Sequence, residues 1–162
     1  MIFVGIDPGK SGAVVAIKDT LELVYVADTP TLRGKKGREY DIPEMAAILR
    51  RATLGRPCEV IVERVHSMPS QGVASTFSFG MGYGIWLGLL GALELPYRQV
   101  RAADWVKRLL KGMPGDGKER AILFARQVFP TLDLVPPGCH APRDGRADAA
   151  CLAYYGAKCW QN

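Results

Sequence analysis

The sequence predicts an α/β fold in which helices flank a mixed five-stranded sheet. Residues 1–27 contain three short apolar runs joined by tight links, a pattern typical of an antiparallel meander. Two later runs, 60–65 and 97–100, alternate with helical segments, which favours parallel strands. A chain of 162 residues is long enough to bury a core, and we expect one domain spanning 1–162.

The N-terminal third contains the predicted meander and a loop. The first strand, residues 2–6, ends at Asp-Pro-Gly, a strong turn sequence. The second and third strands are expected at 12–18 and 22–27. Residues 29–40 combine a proline, two glycines and four basic side chains, so we predict a loop there.

The remaining elements are predicted from apolar spacing. Pro43 suits the first turn of a helix that runs to about Ala52, with apolar side chains at helical spacing. Strand 60–65 is apolar on both faces, which places it in the interior of the sheet. After strand 97–100, helices are predicted over 103–110, 118–129 and from about 146 to 159.

One helix is unusual because residues 73–93 contain no charged side chain. The length is enough for a membrane span, but hydroxyl side chains and five glycines favour a buried helix instead. Gly80, Gly84 and Gly88 share one face, which suits packing on the sheet or on the same helix of a second subunit. We therefore predict no membrane association.

Composition narrows the partner and the compartment. The net charge of +5 and a pI of about 9.1 suit a polyanionic ligand. The four cysteines form no CxxC pair and no signal peptide is recognised, so free thiols and a cytoplasmic location are expected, the host cytoplasm if the chain is phage-encoded. A zinc site at Cys139, His140, Cys151 and Cys159 is an alternative, although the spacing matches no common zinc pattern.

Acidic residues stand at three places that the predicted fold can bring together. Asp7 follows the first strand, Glu63 lies in strand 60–65, and Asp144 and Asp148 stand at the start of the last helix. If the two strands are neighbours, their ends lie about 5 Å apart. Such a cluster would be strongly anionic, so we predict that it holds divalent cations, two of them about 3.5–4 Å apart.

These motifs resemble those of the RuvC family of Holliday junction resolvases. Residues 5–12 (Gly-Ile-Asp-Pro-Gly-x-x-Gly) are similar to its first-strand motif, 62–65 to its central-strand glutamate, and 144–150 to its closing acidic helix. The resemblance implies an RNase H-like fold, a homodimer, Mg²⁺ or Mn²⁺, and paired nicks in four-way DNA junctions. It also implies that Asp7, Glu63 and Asp148 are metal ligands.

The chain departs from the family pattern at one acidic position. The family has an acid or a histidine three residues before the last aspartate, where this chain has Gly145; the nearest acid is Asp144, four residues before it. Residues four apart share a helix face, so Asp144 is predicted as a further catalytic metal ligand. Alternatively, it caps the helix.

Basic residues are candidates for contacting DNA. The family places lysines near the scissile phosphate, and Lys107 and Lys118 match those places, where they would neutralise developing charge. An aromatic wedge of the family is replaced here by His66 and Met68. The predicted DNA-binding residues are Arg33, Lys35, Lys36, Arg38, His66, Met68, Arg108, Lys111 and Arg120.

Together these features predict an endonuclease that resolves Holliday junctions and other branched DNA by two-metal hydrolysis. Three alternatives remain open at this stage. The chain could be a non-catalytic nucleic-acid-binding module on the same scaffold, or a nuclease for flaps or RNA–DNA hybrids. The first motif also resembles the phosphate loop of actin-like ATPases, but those need a second lobe that 162 residues do not provide.

Overall fold

The computed structural model describes residues 1–35, 37–66 and 72–159. The strands are β1 (Ile2–Ile6), β2 (Ala13–Lys18), β3 (Leu23–Asp28), β4 (Thr31–Gly34), β5 (Gly37–Tyr40), β6 (Cys58–Arg64) and β7 (Tyr97–Arg101). The helices are α1 (Ile42–Thr53), α2 (Val73–Ala92), α3 (Ala102–Leu109), α4 (Gly117–Val128) and α5 (Asp144–Cys159).

Five strands form the mixed sheet that the sequence predicts, in the order β3-β2-β1-β6-β7. β1, β2 and β3 pair antiparallel, and β1, β6 and β7 are parallel. In the β1–β6 register Ile6 lies opposite Val62. The next residue on each strand is acidic, so the pairing brings Asp7 and Glu63 to the same edge of the sheet.

The predicted loop over residues 29–40 is wrong, because this segment forms a β-hairpin. β4 pairs antiparallel with β5, and Thr31 lies opposite Tyr40. Gly37 adopts a φ of +120°, which favours glycine, next to the turn. Tyr40 is buried and its hydroxyl donates to the carbonyl of Ser78 at 3.1 Å, so the hairpin is attached to α2. Backbone pairing holds these strands together without an apolar alternation that a sequence reading could detect.

Each face of the sheet is covered by its own layer of helices. Phe3, Val15 and Ile61 point to the layer formed by α3, α4 and α5. Val4 and Val14, on the opposite face, pack against α1 and α2. The alternation along β1 therefore places neighbouring side chains in different cores, as expected for a strand covered on both sides.

α5 packs on the sheet at unusually close range. A Cβ atom on Gly5 would lie 1.9 Å from the carbonyl oxygen of Ala149, and one on Gly156 would lie 2.2 Å from Cδ1 of Ile61. Gly5 is therefore required for this approach, because the atom it faces is backbone, whereas Gly156 faces the end of a side chain that could shift. The helix begins at Asp144, two residues before the predicted start, which puts Asp144 in its first turn.

The prediction that α2 is buried is wrong for most of its length. Its buried positions are Gly82, Trp86 and Leu90, whereas a Cβ on Gly80, Gly84 or Gly88 would meet nothing within 4 Å. The glycine face is thus turned away from the sheet. By length and composition alone, α2 is the single helix in the described ranges that could cross a membrane, a test that many helices of soluble proteins also pass.

Candidate active site

Three elements bring the predicted acids together. Asp7 is held where β1 ends, because its backbone N–H donates to the carbonyl of Ala13 at 3.0 Å across the β1–β2 turn. Glu63 lies near the end of the adjacent β6, and Asp148 lies in the second turn of α5. α5 reaches this edge of the sheet because Gly5 allows it to lie directly on β1.

Burial and mutual repulsion favour the protonated form of these acids. The pKa of Asp7 is raised to about 7, first by burial and then by repulsion from Glu63. The pKa of Asp148 is raised to about 8 by burial and by repulsion from Asp7 and Glu63. Burial also raises the pKa of Glu63. Carboxylates that repel one another in a desolvated notch favour a cation between them.

Glu63 has a hydrogen-bond partner that the sequence analysis missed. The indole Nε1 of Trp105, on α3, donates to Glu63 Oε2 at 3.1 Å. Trp105 is 3% exposed, so its ring is fixed in the core and holds the carboxylate in one orientation. The two residues are 42 positions apart, and no local motif connects them.

Asp144 stands beside the cluster and is paired with a lysine. Its Oδ2 lies 2.6 Å from Nζ of Lys118, at the start of α4, and its Oδ1 accepts from the N–H of Gly145 at 3.1 Å. The contact with Lys118 lowers the pKa of Asp144. Asp144 still contributes to the raised pKa of both Asp7 and Asp148, so it belongs to the same electrostatic cluster.

The packing explains why position 145 carries no acidic side chain. A Cβ atom on Gly145 would lie 2.4 Å from the carbonyl oxygen of Ser11 and 3.1 Å from Oδ2 of Asp7. The first turn of α5 therefore rests directly on the β1–β2 turn. A side chain at this position would displace either the helix or Asp7, which leaves Asp144 as the neighbouring acid.

A buried arginine fixes the same end of α5. The Nε of Arg146 donates to Oδ1 of Asp28, on β3, at 2.6 Å, and its NH1 donates to the carbonyl of Asp133 at 2.6 Å. Arg146 is only 9% exposed, so these bonds anchor the helix in a partly desolvated setting. No sequence pattern indicates this contact, since Asp28 is 118 residues away along the chain.

The donor set suits a hard divalent cation, although the side chains are not gathered around one. Asp7, Glu63 and Asp148 supply only carboxylate oxygens, the ligands that Mg²⁺ and Mn²⁺ prefer. As placed, no three acidic, histidine or cysteine side chains within 1–35, 37–66 and 72–159 converge closely enough to hold an ion. The fit therefore rests on donor chemistry and on the repulsion described above.

The predicted basic residues lie in separate places. Lys118 is at the acid cluster, whereas Lys107, Arg108 and Lys111 line a different concavity on α3, together with Asp104 and Tyr155. Arg120 donates to the carbonyl of Asp116 on α4. Arg33, Lys35 and Arg38 are exposed on the hairpin, and His66 is exposed after β6; Lys36 and Met68 lie outside the described residues.

The hairpin is connected to the acid cluster through Arg38. Its guanidinium lies 3.4 Å from both the carbonyl of Lys10 and Oγ of Ser11, in the turn that follows Asp7. In return, Nζ of Lys10 donates to the carbonyl of Arg38 at 2.5 Å. The hairpin is thus docked on the turn that carries the first acid.

Comparison with known proteins supports the fold. No protein-family model matches the sequence, and no curated protein matches it. The structure of Thermus thermophilus RuvC in complex with a Holliday junction substrate matches with a TM-score of 0.64 and 23% identity, over 94% of this chain and 90% of that one. A second T. thermophilus RuvC structure matches with a TM-score of 0.59 and 22% identity, over 96% and 95%. The chain therefore has the RuvC-like fold that its motifs predict.

Proposed function

We propose that this protein is a metal-dependent endonuclease that cuts branched DNA, with the four-way junction as its main substrate. One observation supports this above all: a RuvC-like fold brings Asp7, Glu63 and Asp148 into one partly buried, mutually repelling cluster. One of the two matching T. thermophilus RuvC structures contains a Holliday junction substrate, which supports the same class of substrate here. A protein that only bound phosphates would gain nothing from buried anions at its binding surface.

In this proposal Asp7, Glu63 and Asp148 hold Mg²⁺ or Mn²⁺, with Asp144 at the edge of the set. When bound, the two ions would supply an activated water and stabilise the leaving 3′-oxygen. Trp105 holds the Glu63 carboxylate through the Nε1–Oε2 hydrogen bond. Lys118, whose side chain is 76% exposed, would neutralise charge on the phosphate while Asp144 holds its ammonium group near the cluster.

We propose further that α2 forms the centre of a homodimer. Its outward face carries Val73, Phe77 and Met81, which are 87%, 73% and 42% exposed. The same face continues through Gly84 and Gly88, where a Cβ would meet nothing. An exposed apolar stripe followed by glycines suits close packing against an identical helix. Two-fold symmetry would present two acid clusters to two of the four strands of a junction.

The direct test is a cleavage assay. We expect symmetrical nicks in a synthetic four-way junction with Mg²⁺ or Mn²⁺, and none with chelator. Asp7→Asn and Glu63→Gln should abolish cutting but retain junction binding, because negative charge near the phosphates is removed. Cleavage of flaps or RNA–DNA hybrid in preference to the junction would reassign the substrate, and binding without cutting under any metal would contradict the nuclease proposal.

A further inference from the structure

A concave surface lies beside the acid cluster. Its lining includes Ser11, Lys118, His140, Arg143 and Asp144. Ser11 is in the turn after Asp7, and Asp144 begins α5, so the concavity opens directly from the cluster. Its volume of about 600 Å³ can admit part of a nucleic-acid strand.

The charges in this concavity leave an excess cation. Lys118 and Asp144 form an ion pair at 2.6 Å and so largely cancel each other. Arg143 is the second cation, and the structure gives it no carboxylate within 4 Å among the described residues. Asp28 and Asp144 attract Arg143 at longer range, but each is paired with another cation, so the Arg143 guanidinium has no direct carboxylate partner among the described residues.

A contact with Cys139 positions the guanidinium of Arg143 but leaves hydrogen-bond donors available. Its Nε and NH2 lie 3.3 Å and 3.2 Å from Sγ of Cys139, and sulfur is a weak hydrogen-bond acceptor. The backbone is also fixed, because the N–H of Arg143 donates to the carbonyl of Leu134 at 2.7 Å. A planar guanidinium held this way retains donors for a phosphate oxygen.

A second concavity continues the surface on the other side of Ser11. It is lined by Gly9, Lys10, Ser11, Tyr40, Ser75, Ser78 and Phe79. Because Ser11 lines both concavities, both border the turn that follows Asp7. A strand crossing this turn would lie beside the acid cluster, within reach of the concavity that contains Arg143.

We infer that Arg143 binds a backbone phosphate of the substrate strand, next to the phosphate that is cut. It is a positioning residue, since it holds the strand and does not touch the reacting atoms. This inference rests on the proposed nuclease function for the identity of the strand. It assigns a role to the loop before α5 that none of the predicted DNA-binding residues covers.

The test is junction binding as a function of salt, measured by fluorescence anisotropy in chelator with wild-type protein, Arg143→Ala, Arg143→Lys and the control Arg56→Ala. Arg56 is exposed in the loop that follows α1. Each lost phosphate contact should reduce the slope of log K against log salt by about 0.9. We expect this reduction and a roughly tenfold weaker affinity at 0.1 M salt for Arg143→Ala, a restored slope for Arg143→Lys, and no change for Arg56→Ala.

Single-turnover cutting separates positioning from catalysis. At saturating protein Arg143→Ala should cut within a few-fold of wild type, while the protein concentration giving half-maximal rate should rise about tenfold. If Arg143→Ala melts early, Arg143→Gln removes the charge while keeping a side chain of similar reach. A wild-type salt slope in Arg143→Ala and Arg143→Gln overturns this inference. If wild type cuts no branched DNA the proposed function fails, whereas the slope still decides whether Arg143 contacts phosphate.

Discussion

α5 and α2 are both rich in small residues, yet the fold uses them in opposite ways. The small residues of α5 face the sheet, where Gly5 and Gly156 bring helix and strands into contact. Three glycines of α2, Gly80, Gly84 and Gly88, face outward and contact nothing, although Gly82 on the opposite face is buried. The close contact of α5 completes the acid cluster, and the open face of α2 is available for a second subunit. A stripe of small residues thus indicates close packing, but the partner must be read from the fold.

The largest expected effect distinguishes the close packing of α5 from the open glycine face of α2. Gly5→Ala forces a Cβ against the Ala149 carbonyl, where only backbone could move, and should lower the free energy of unfolding by about 3 kcal/mol, the upper end of the usual cost of overpacking. Gly84→Ala adds a methyl group that meets nothing within the same chain and should change the free energy of unfolding of the monomer by less than about 1 kcal/mol. Urea unfolding at a protein concentration below that of dimer formation measures both. Equal effects would contradict the close packing of α5.

The proposed dimer interface on the outward face of α2 can be tested by introducing a charge there. Phe77→Glu places a carboxylate in the proposed dimer interface and should weaken self-association at least tenfold, since burying an unpaired charge is costly. Sedimentation equilibrium measures the change. Leu54→Glu is the matched control, because Leu54 is also exposed, at 50%, but lies after α1. A dimer that survives Phe77→Glu intact places the interface elsewhere.

The acid cluster predicts that the stability of the metal-free protein depends on pH. The pKa values of Asp7 and Asp148 rise from 3.8 when unfolded to about 7 and about 8 when folded. The unfolded chain therefore releases these protons first, and stability should fall as pH rises from about 4 to about 8, then level off. Asp148→Asn should reduce this fall and raise Tm at pH 8 by about 2–4 °C for each kcal/mol of relieved repulsion.

Added metal gives the complementary result. At pH 8, Mg²⁺ at one hundred times its Kd should stabilise wild type by about 2.7 kcal/mol, with little effect on Asp148→Asn. Thermal melts with and without chelator measure this difference. If Tm does not change between pH 4 and pH 8 and does not respond to metal, the carboxylates are not crowded together in solution.

The smallest expected effect concerns the orientation of Glu63. Trp105→Phe keeps most of the ring volume but removes the donor to Oε2, a charge-assisted bond that contributes about 1.5–3 kcal/mol when intact. We expect junction cutting to slow by about tenfold and the apparent affinity for Mn²⁺ to fall, with junction affinity in chelator unchanged. If Trp105→Phe cuts junctions at the wild-type rate, Trp105 does not position Glu63 for catalysis.

The sequence predicts correctly those strands and helices whose positions depend on the local spacing of apolar residues. β1, β2 and β3 end at turn residues, and α1 begins at a tolerated proline with apolar residues at helical spacing, so their positions could be predicted to within two residues. The meeting of Asp7 and Glu63 followed from placing β1 beside β6, which the register confirms. The predicted roles of these acids in holding metal stay predictions.

What could not be predicted depends on contacts between distant residues. The hairpin β4–β5 was missed because its strands are short, basic and held by backbone pairing. Trp105 and Arg146 were missed because their partners, Glu63 and Asp28, are far away along the chain. The exposure of α2 was misjudged because an uncharged sequence does not show which of its faces is covered.

The most direct test of the central claim is a crystal soaked in Mn²⁺, with the ions located by anomalous scattering. The proposal predicts at least one strong peak contacted by carboxylate oxygens of Asp7, Glu63 and Asp148, and no such peak in Asp148→Asn. A well-ordered wild-type crystal without an ion at this edge of the sheet, under saturating Mn²⁺, would contradict the claim that the buried acids form a metal centre.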